Sequence, residues 1–252
     1  MFVLAIDFAW DVVWRFLFNP VIREGAWRTI QVAVIAQVLG IVLGGTFALM
    51  GMSRNWPAKF MTGFYVWFFR GTPALLQLFI LYFGIPQLFG NQTFTNELTA
   101  FRAAIIAFGV NEGAYMTEIV RAGILSVESG QMDAAKSLGM TQLQAMRHVV
   151  LPQALRVVMP PTGNEFIAML KNTSLASAIG LVELLQASRL IYSVNFNILE
   201  LLVVAAIWYL AFTTIFSLLQ AELERFFAVG DRERPQTIFS RAMAIMGSSR
   251  GI

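Results

Sequence analysis

Residues Thr29–Ser53 read TIQVAVIAQVLGIVLGGTFALMGMS and contain no charged side chain. As a helix, this stretch of about 25 residues would be roughly 37 Å long, enough to cross ~30 Å of hydrocarbon with some tilt. A second charge-free run, Leu201–Ala221, has the same character. Backbone N–H and C=O groups in lipid must be satisfied within the segment, so such runs are helices. Neither run alternates with a period of two, which argues against a membrane barrel. Gly40 and Gly44 form a GxxxG pair with Gly45 adjacent, a spacing that lets two helices approach closely.

The rest of the composition agrees. Hydrophobic residues make up 57% of the chain and charged residues 13%, where a soluble domain carries about 25% charged residues. The predicted fold is an all-α integral membrane bundle of about five transmembrane helices. The spans are placed at about Trp27–Met52, Lys59–Phe89, Thr99–Val120, Leu155–Val182 and Ile198–Glu222. The second is interrupted at Arg70-Gly71-Thr72-Pro73, and Pro160-Pro161 is expected to kink the start of the fourth. Residues 1–24 precede this domain. Within them Val3–Phe18, with Trp10 and Trp14, is an amphipathic segment for the membrane interface. Asp7 and Asp11 and the lack of a basic start argue against a signal peptide there. The domain occupies residues 25–228. Residues 229–252, with Asp231, Glu233, Pro235, Gly247 and Ser248, read as a solvated, partly disordered tail.

Loop charges set an orientation. Arg54 and Lys59 lie between the first two spans, and Arg121, Lys136, Arg147, His148 and Arg156 lie around the third loop. Arg225, Arg232, Arg234, Arg241 and Arg250 follow the last span. An outside N-terminus and a cytoplasmic C-terminus put all three groups in the cytoplasm and leave Gly90–Glu97, with no Lys or Arg, outside. Arg23, Arg28, Arg102 and Arg189 go against the trend. The same clustering beside apolar runs accounts for the net charge of +3 without nucleic acid.

Several chemistries are excluded. Without cysteine there is no disulfide, thiolate metal site or thiol nucleophile. His148 is the single histidine, and neither HExxH nor GxSxG occurs, so an intramembrane protease or metal hydrolase is not supported. No lysine of Lys59, Lys136 and Lys171 follows a glycine, so the chain has no phosphate-binding loop of its own. No cofactor, metal or catalytic residue is expected.

Between the third and fourth spans lies SVESGQMDAAKSLGMTQLQAMRHVVLP, Ser126–Pro152, too polar to cross the bilayer. Asp133, Ala134 and Ala135 open one helix and Gly139 interrupts it. Met140–Val150 forms a second helix, ended by Pro152. By its residues alone this is either an interfacial linker or a short rod that a partner approaches over its small side chains; a side chain at Gly139 would clash in the turn or with that partner. A channel or passive carrier would not need such a rod.

The spacing Asp133-Ala134-Ala135, Gly139, Val149-Val150-Leu151-Pro152 resembles the EAA loop of type I ABC importer permeases, with Asp133 for Glu and Val149 for Ile. Phe69-Arg70-Gly71-Thr72-Pro73 with Gln77-Leu78-Phe79, Glu118–Ile124, Leu151–Ala154 and Lys171–Leu175 resemble further motifs of the polar amino acid branch. The resemblance covers about Gly25–Phe227. It implies a permease of an ATP-driven amino acid importer in the bacterial cytoplasmic (inner) membrane. The implied partners are a second permease subunit, identical or paralogous, a cytoplasmic ABC ATPase dimer, and an external amino-acid-binding protein. Asp133, Ala134, Ala135, Gly139, Leu151 and Pro152 would couple to the ATPase.

Charged residues at membrane depth are costly and mark candidate substrate contacts. Arg70 and Thr72 lie at the broken span, Glu112 in the third span, and Lys171, Asn172 and Ser174 in the fourth. A carboxylate at Glu112 suits an amino group, and an ammonium at Lys171 suits a substrate carboxylate. The alternative is internal pairing: Arg70 with a neighbouring carboxylate, and Lys171 with Glu112 or Glu165. Glu118, beside Arg121, reads as structural.

Overall fold

The computed structural model describes residues 8–89 and 98–227, and these are helical with short connections. The start of the interfacial segment, the loop Gly90–Glu97 and the tail lie outside the described residues. The helices are α1 (Trp10–Leu17), α2 (Pro20–Met52), α3 (Trp56–Gly71), α4 (Ala74–Phe79) and α5 (Ile85–Phe89). Then come α6 (Ala100–Leu125), α7 (Ser129–Ser137), α8 (Gln142–Ala145), α9 (Leu151–Asn172), α10 (Leu184–Asn195) and α11 (Ile198–Phe227). A π-helical turn, Ile80–Gly84, joins α4 to α5; another, Met146–Val150, joins α8 to α9.

By length and composition α2 and Ile198–Arg225 can each cross a membrane alone. Two bent pairs pass the same test together: Trp56–Gly71 with Ala74–Leu88, at 103°, and Gln142–Ile179 with Leu184–Asn195, at 47°. The fifth long helix is α6, 26 residues or roughly 39 Å; of its charged residues Glu112 is buried, while Arg102, Glu118 and Arg121 are exposed. Two boundaries differ from the sequence expectation. The first long helix begins at Pro20, not Trp27, because Asn19 accepts a hydrogen bond from Val21 N at 2.9 Å and Pro20 takes the first helical position. The helix entering at Gln142 does not end at Pro152. The π-helical turn shifts the bonding register by one, and Leu151 N reaches Met146 O. Pro152 then falls in the first turn of α9, where its missing N–H is least costly.

The bundle is organised around α2 against α6. Gly40 sits over Glu112, Gly44 over Met116, Gly109 against Leu39 and Gly113 against Leu43. A Cβ on Gly44 would also lie 2.8 Å from Met116 C and 2.9 Å from Thr117 N, atoms of backbone that cannot rotate away. In lipid, contact area and not hydrophobicity drives helices together, so this small-residue seam sets the separation. The 12-residue α10, unanticipated from sequence, returns over α2 with Leu184, Ala187 and Ser188 buried. Its N-cap is Glu183, which accepts from Leu185 N at 2.8 Å, Gln186 N at 2.9 Å and the Tyr209 hydroxyl at 3.0 Å. The N-terminal α1 is amphipathic, and it docks on α11. Val13 and Leu17 are buried, and Trp208 Nε1 donates to Leu17 O at 2.8 Å, while Trp10, Trp14 and Phe18 stay exposed.

The break between α3 and α4 has a local cause. Pro73 has no N–H for the Phe69 carbonyl and pushes Thr72 to φ −122°, ψ 145°. Asn111 Nδ2 replaces that donor at 2.8 Å, and Gln77 Nε2 at 2.9 Å. The same Gln77 nitrogen lies 3.0 Å from Thr72 O and 2.8 Å from Thr72 Oγ1. Gln77 Oε1 in turn accepts from Asn111 Nδ2 at 3.1 Å.

The seam makes a discriminating pair of expectations. Gly44→Leu forces α2 off α6 and lowers stability by about 1–3 kcal/mol, read as a drop in Tm in detergent. Gly45→Ala meets nothing within 4 Å and leaves Tm unchanged or higher, since alanine is the better helix former.

Candidate functional site

Four elements converge at the break. A cavity of about 490 Å³, within the usual range for small-molecule sites, is lined by Arg70, Gly71, Thr72, Pro73 and Ala74 from the break. Phe108, Asn111, Glu112 and Tyr115 come from α6, and Glu165, Met169 and Asn172 from α9. Each helix contributes residues three, four or seven apart, one stripe of a 3.6-residue period. Of the six substrate-contact candidates, Arg70, Thr72, Glu112 and Asn172 are brought together here. Lys171 and Ser174 are placed outside the cavity. Lys171 is exposed, pairs with neither Glu112 nor Glu165, and offers its carbonyl to Ser174 Oγ at 2.7 Å. One residue of helix turns a side chain by about 100°, so Asn172 and Lys171 cannot share a face.

From the sequence Glu165 is only a partner for Lys171, and Asn111 and Tyr115 are not among the candidate contacts. The signal was the spacing: Glu165, Met169 and Asn172 on α9, and Phe108, Asn111, Glu112 and Tyr115 on α6, each make a single stripe.

Arg70, Gly71 and Tyr115 also line a second cavity of about 790 Å³ toward the α2–α3 connection, with Lys59, Thr62, Glu118 and Arg121 in its wall. Arg70 forms an ion pair with Glu118 and lies over the Tyr115 ring, Cζ 5.0 Å from the centroid. Glu118 is thus the partner of Arg70 and not of Arg121. Glu112 is 4% exposed, and its Oε1 accepts from Gln37 Nε2 at 3.2 Å. Among the described residues no group of three metal-ligating side chains occurs. The cavity wall offers ion pairs and amide hydrogen bonds.

The segment after α6 ends in a defined turn. Gly139 has φ +84°; its N–H bonds Lys136 O at 2.9 Å and Met140 N–H bonds Ala135 O at 3.1 Å. This is a Schellman termination, which needs a left-handed residue. An added Cβ there meets nothing within 4 Å, so glycine is required by its backbone conformation and not by crowding within the chain. Thr141 and Gln144 form a capping box that starts α8. Ala135 and Ala145 are buried. Asp133, Ala134, Gly139, Leu151 and Pro152 are exposed, as are Leu138 at 81% and Leu143 at 76% on either side of the turn.

Residues 38–229 match the model of the family described as binding-protein-dependent transport system inner membrane component. The chain is 40% identical over 252 residues to the arginine transport system permease protein ArgU of Corynebacterium glutamicum, covering 97% of this chain and 79% of that one. It is 39% identical over 223 residues to the L-cystine transport system permease protein TcyB of Bacillus subtilis, covering 88% and 92%. Among solved structures, the crystal structure of an amino acid ABC transporter with histidines is similar at a TM-score of 0.77 and 37% identity, covering 88% of this chain and 99% of that chain. With the all-helical membrane bundle, these matches establish that the chain belongs to the binding-protein-dependent transport system inner membrane component family, as a permease of the type I ABC importer fold.

Proposed function

We propose that this permease forms the translocation path of an ATP-driven amino acid importer, with the substrate held in the cavity at the α3–α4 break. The observation that carries this is convergence. The break, α6 and α9 place Arg70, Thr72, Asn111, Glu112, Tyr115, Glu165 and Asn172 around one space of suitable size. Intramembrane charge and irregular backbone are both expensive, and both are tolerated where they line a solute cavity. The relatives named for arginine and cystine and the transporter solved with histidines support an amino acid as the solute. In this scheme Arg70 and Tyr115 separate the substrate space from the lower cavity, which leads toward the cytoplasm. Lys171 and Ser174 are not among the proposed contacts, because they lie outside the wall.

Transport by this family implies partners that the chain needs, since it has no nucleotide-binding loop. The scheme assigns a cytoplasmic ABC ATPase dimer to the segment Ser126–Pro152, an external amino-acid-binding protein to the outer face, and a second permease subunit, self or paralogue, to complete the pore. Leu138 and Leu143 flank Gly139 as exposed apolar side chains on an otherwise polar segment, which suits a protein surface better than water. The scheme takes the N-terminus as outside and the C-terminus as cytoplasmic, on the loop charges.

Three outcomes are expected. Asn172→Leu puts an apolar side chain where an amide faces the cavity; amino acid uptake by the reconstituted importer falls at least roughly tenfold, the loss of one to two hydrogen bonds, while Tm is kept. Unchanged uptake would remove the cavity from the path. Gly139→Glu loses uptake and pull-down of the ATPase while the protein still inserts, whereas Gly139→Asn, which tolerates the left-handed conformation, keeps both. Equal behaviour of the two variants would contradict docking through this turn. Finally, a cysteine placed at Gln142 resists external thiol label in intact cells, and one at Asn91 reacts; the reverse pattern inverts the orientation.

A further inference from the structure

The wall of the substrate cavity carries three charged side chains, Arg70, Glu112 and Glu165. Arg70 is already paired with Glu118, which faces the neighbouring cavity. The Arg70 charge also acts on Glu165, so one guanidinium serves two acids, and neither Glu112 nor Glu165 holds an ion pair among the described residues. Glu112 is buried to within 4% of its surface, and only one of its oxygens has a protein donor, Gln37 Nε2. That donor leaves its own Oε1 buried and unpaired, so the Gln37–Glu112 pair as a whole is short of hydrogen-bond donors. Glu165 makes neither a hydrogen bond nor an ion pair among the described residues. Lys171, the nearest lysine in sequence, does not reach the space.

We infer that the solute is an amino acid with net positive charge, carrying a cationic side chain in addition to its α-ammonium. The inference rests on the cavity being the substrate site. Such a solute brings two cations to two carboxylates, Glu112 and Glu165. Its α-carboxylate then faces the Asn172 side chain, which has no hydrogen-bond partner among the described residues, and the remaining N–H groups of Arg70. A neutral zwitterion satisfies only one of the two acids. An acidic amino acid adds a third anion to a space already short of cations. Selection here comes from repulsion of the wrong charge as much as from attraction of the right one.

The test uses the permease complex as purified from membranes, in detergent, with no binding protein present so that only the permease's own selectivity is read. L-arginine, L-lysine, L-glutamine and L-glutamate are titrated by calorimetry. L-arginine and L-lysine bind at least about tenfold more tightly than L-glutamine, and L-glutamate does not bind. Glu165→Gln weakens L-arginine roughly 10–100-fold, the loss of one charge-assisted contact, and narrows its preference over L-glutamine. Glu112→Gln does the same; because Glu112 is packed beneath Gly40, the half-buried Glu165 is the variant that keeps the test valid if Glu112→Gln does not fold. L-glutamine bound as tightly as L-arginine by the wild type, or a preference untouched by Glu165→Gln, overturns the charge inference alone. If no amino acid binds, or if Asn172→Leu leaves every affinity unchanged, the cavity is not the substrate site, and the charge inference falls with it.

Discussion

The carbonyl of Phe69 has to find a donor at a depth where no lipid can supply one. Pro73 removes its helical partner, and the whole central arrangement follows from how that loss is made good. Gln77 and Asn111 point their amides at the gap, one from the far side of the break and one from α6. With Phe69 O satisfied, α3 can stop and α4 can leave at 103° without an orphaned group in the membrane. The space opened by that bend is the cavity. Asn111 also ties the break to α6, so the charged face of α6 is held against it.

That coupling depends on how close α2 and α6 stand. The glycine seam lets Glu112 sit beneath Gly40 with Gln37 beside it, which seals the carboxylate from lipid while leaving it in the cavity wall. A wider separation would open a crevice behind Glu112. The same face carries Tyr115 and Glu118 onward, and there Arg70 is engaged. Lys59, Arg121 and Glu118 line one of two adjoining spaces, Glu112 and Glu165 the other, and Arg70 stands at their boundary. This asymmetry, more than the number of charges, gives the inner face of the bundle its character.

On the polar side of the molecule, two backbone rules shape the segment beneath the bundle. The Schellman turn at Gly139 reverses the chain without strain, and the capping box at Thr141 restarts it within two residues. Short connections leave little freedom, and the two arms, with Ala135 and Ala145 buried, pack on each other and on the π-helical turn Met146–Val150. The result is a stiff projection with Leu138 and Leu143 at its end. The proposed coupling to an ATPase needs that stiffness, because a flexible loop would absorb the motion.

Much of this was legible in the residues themselves. Charge-free runs, a Pro-interrupted span, GxxxG and the Asp-Ala-Ala…Gly…Leu-Pro spacing are local patterns, and local sterics and lipid solvation act on them directly. Four of the six substrate-contact candidates, Arg70, Thr72, Glu112 and Asn172, meet in one cavity because depth in the membrane can be counted along a span. What could not be counted was rotation. Lys171 and Asn172 share a depth but differ by a turn of about 100°, and only packing against α2, α6 and α11 decides which of them faces inward. Arg70 had several acids within reach along the chain, and the choice of Glu118 was made by the bend between α3 and α4. The helix α10 has the same origin: its apolar stripe is too short to signal a span, and its burial depends on a surface that α2 and α11 form only once they are assembled. Sequence alone determined which segments enter the membrane and where they break, since those depend on the solvation of each segment by itself. The tertiary structure decided which charges meet, since that depends on the angles between helices.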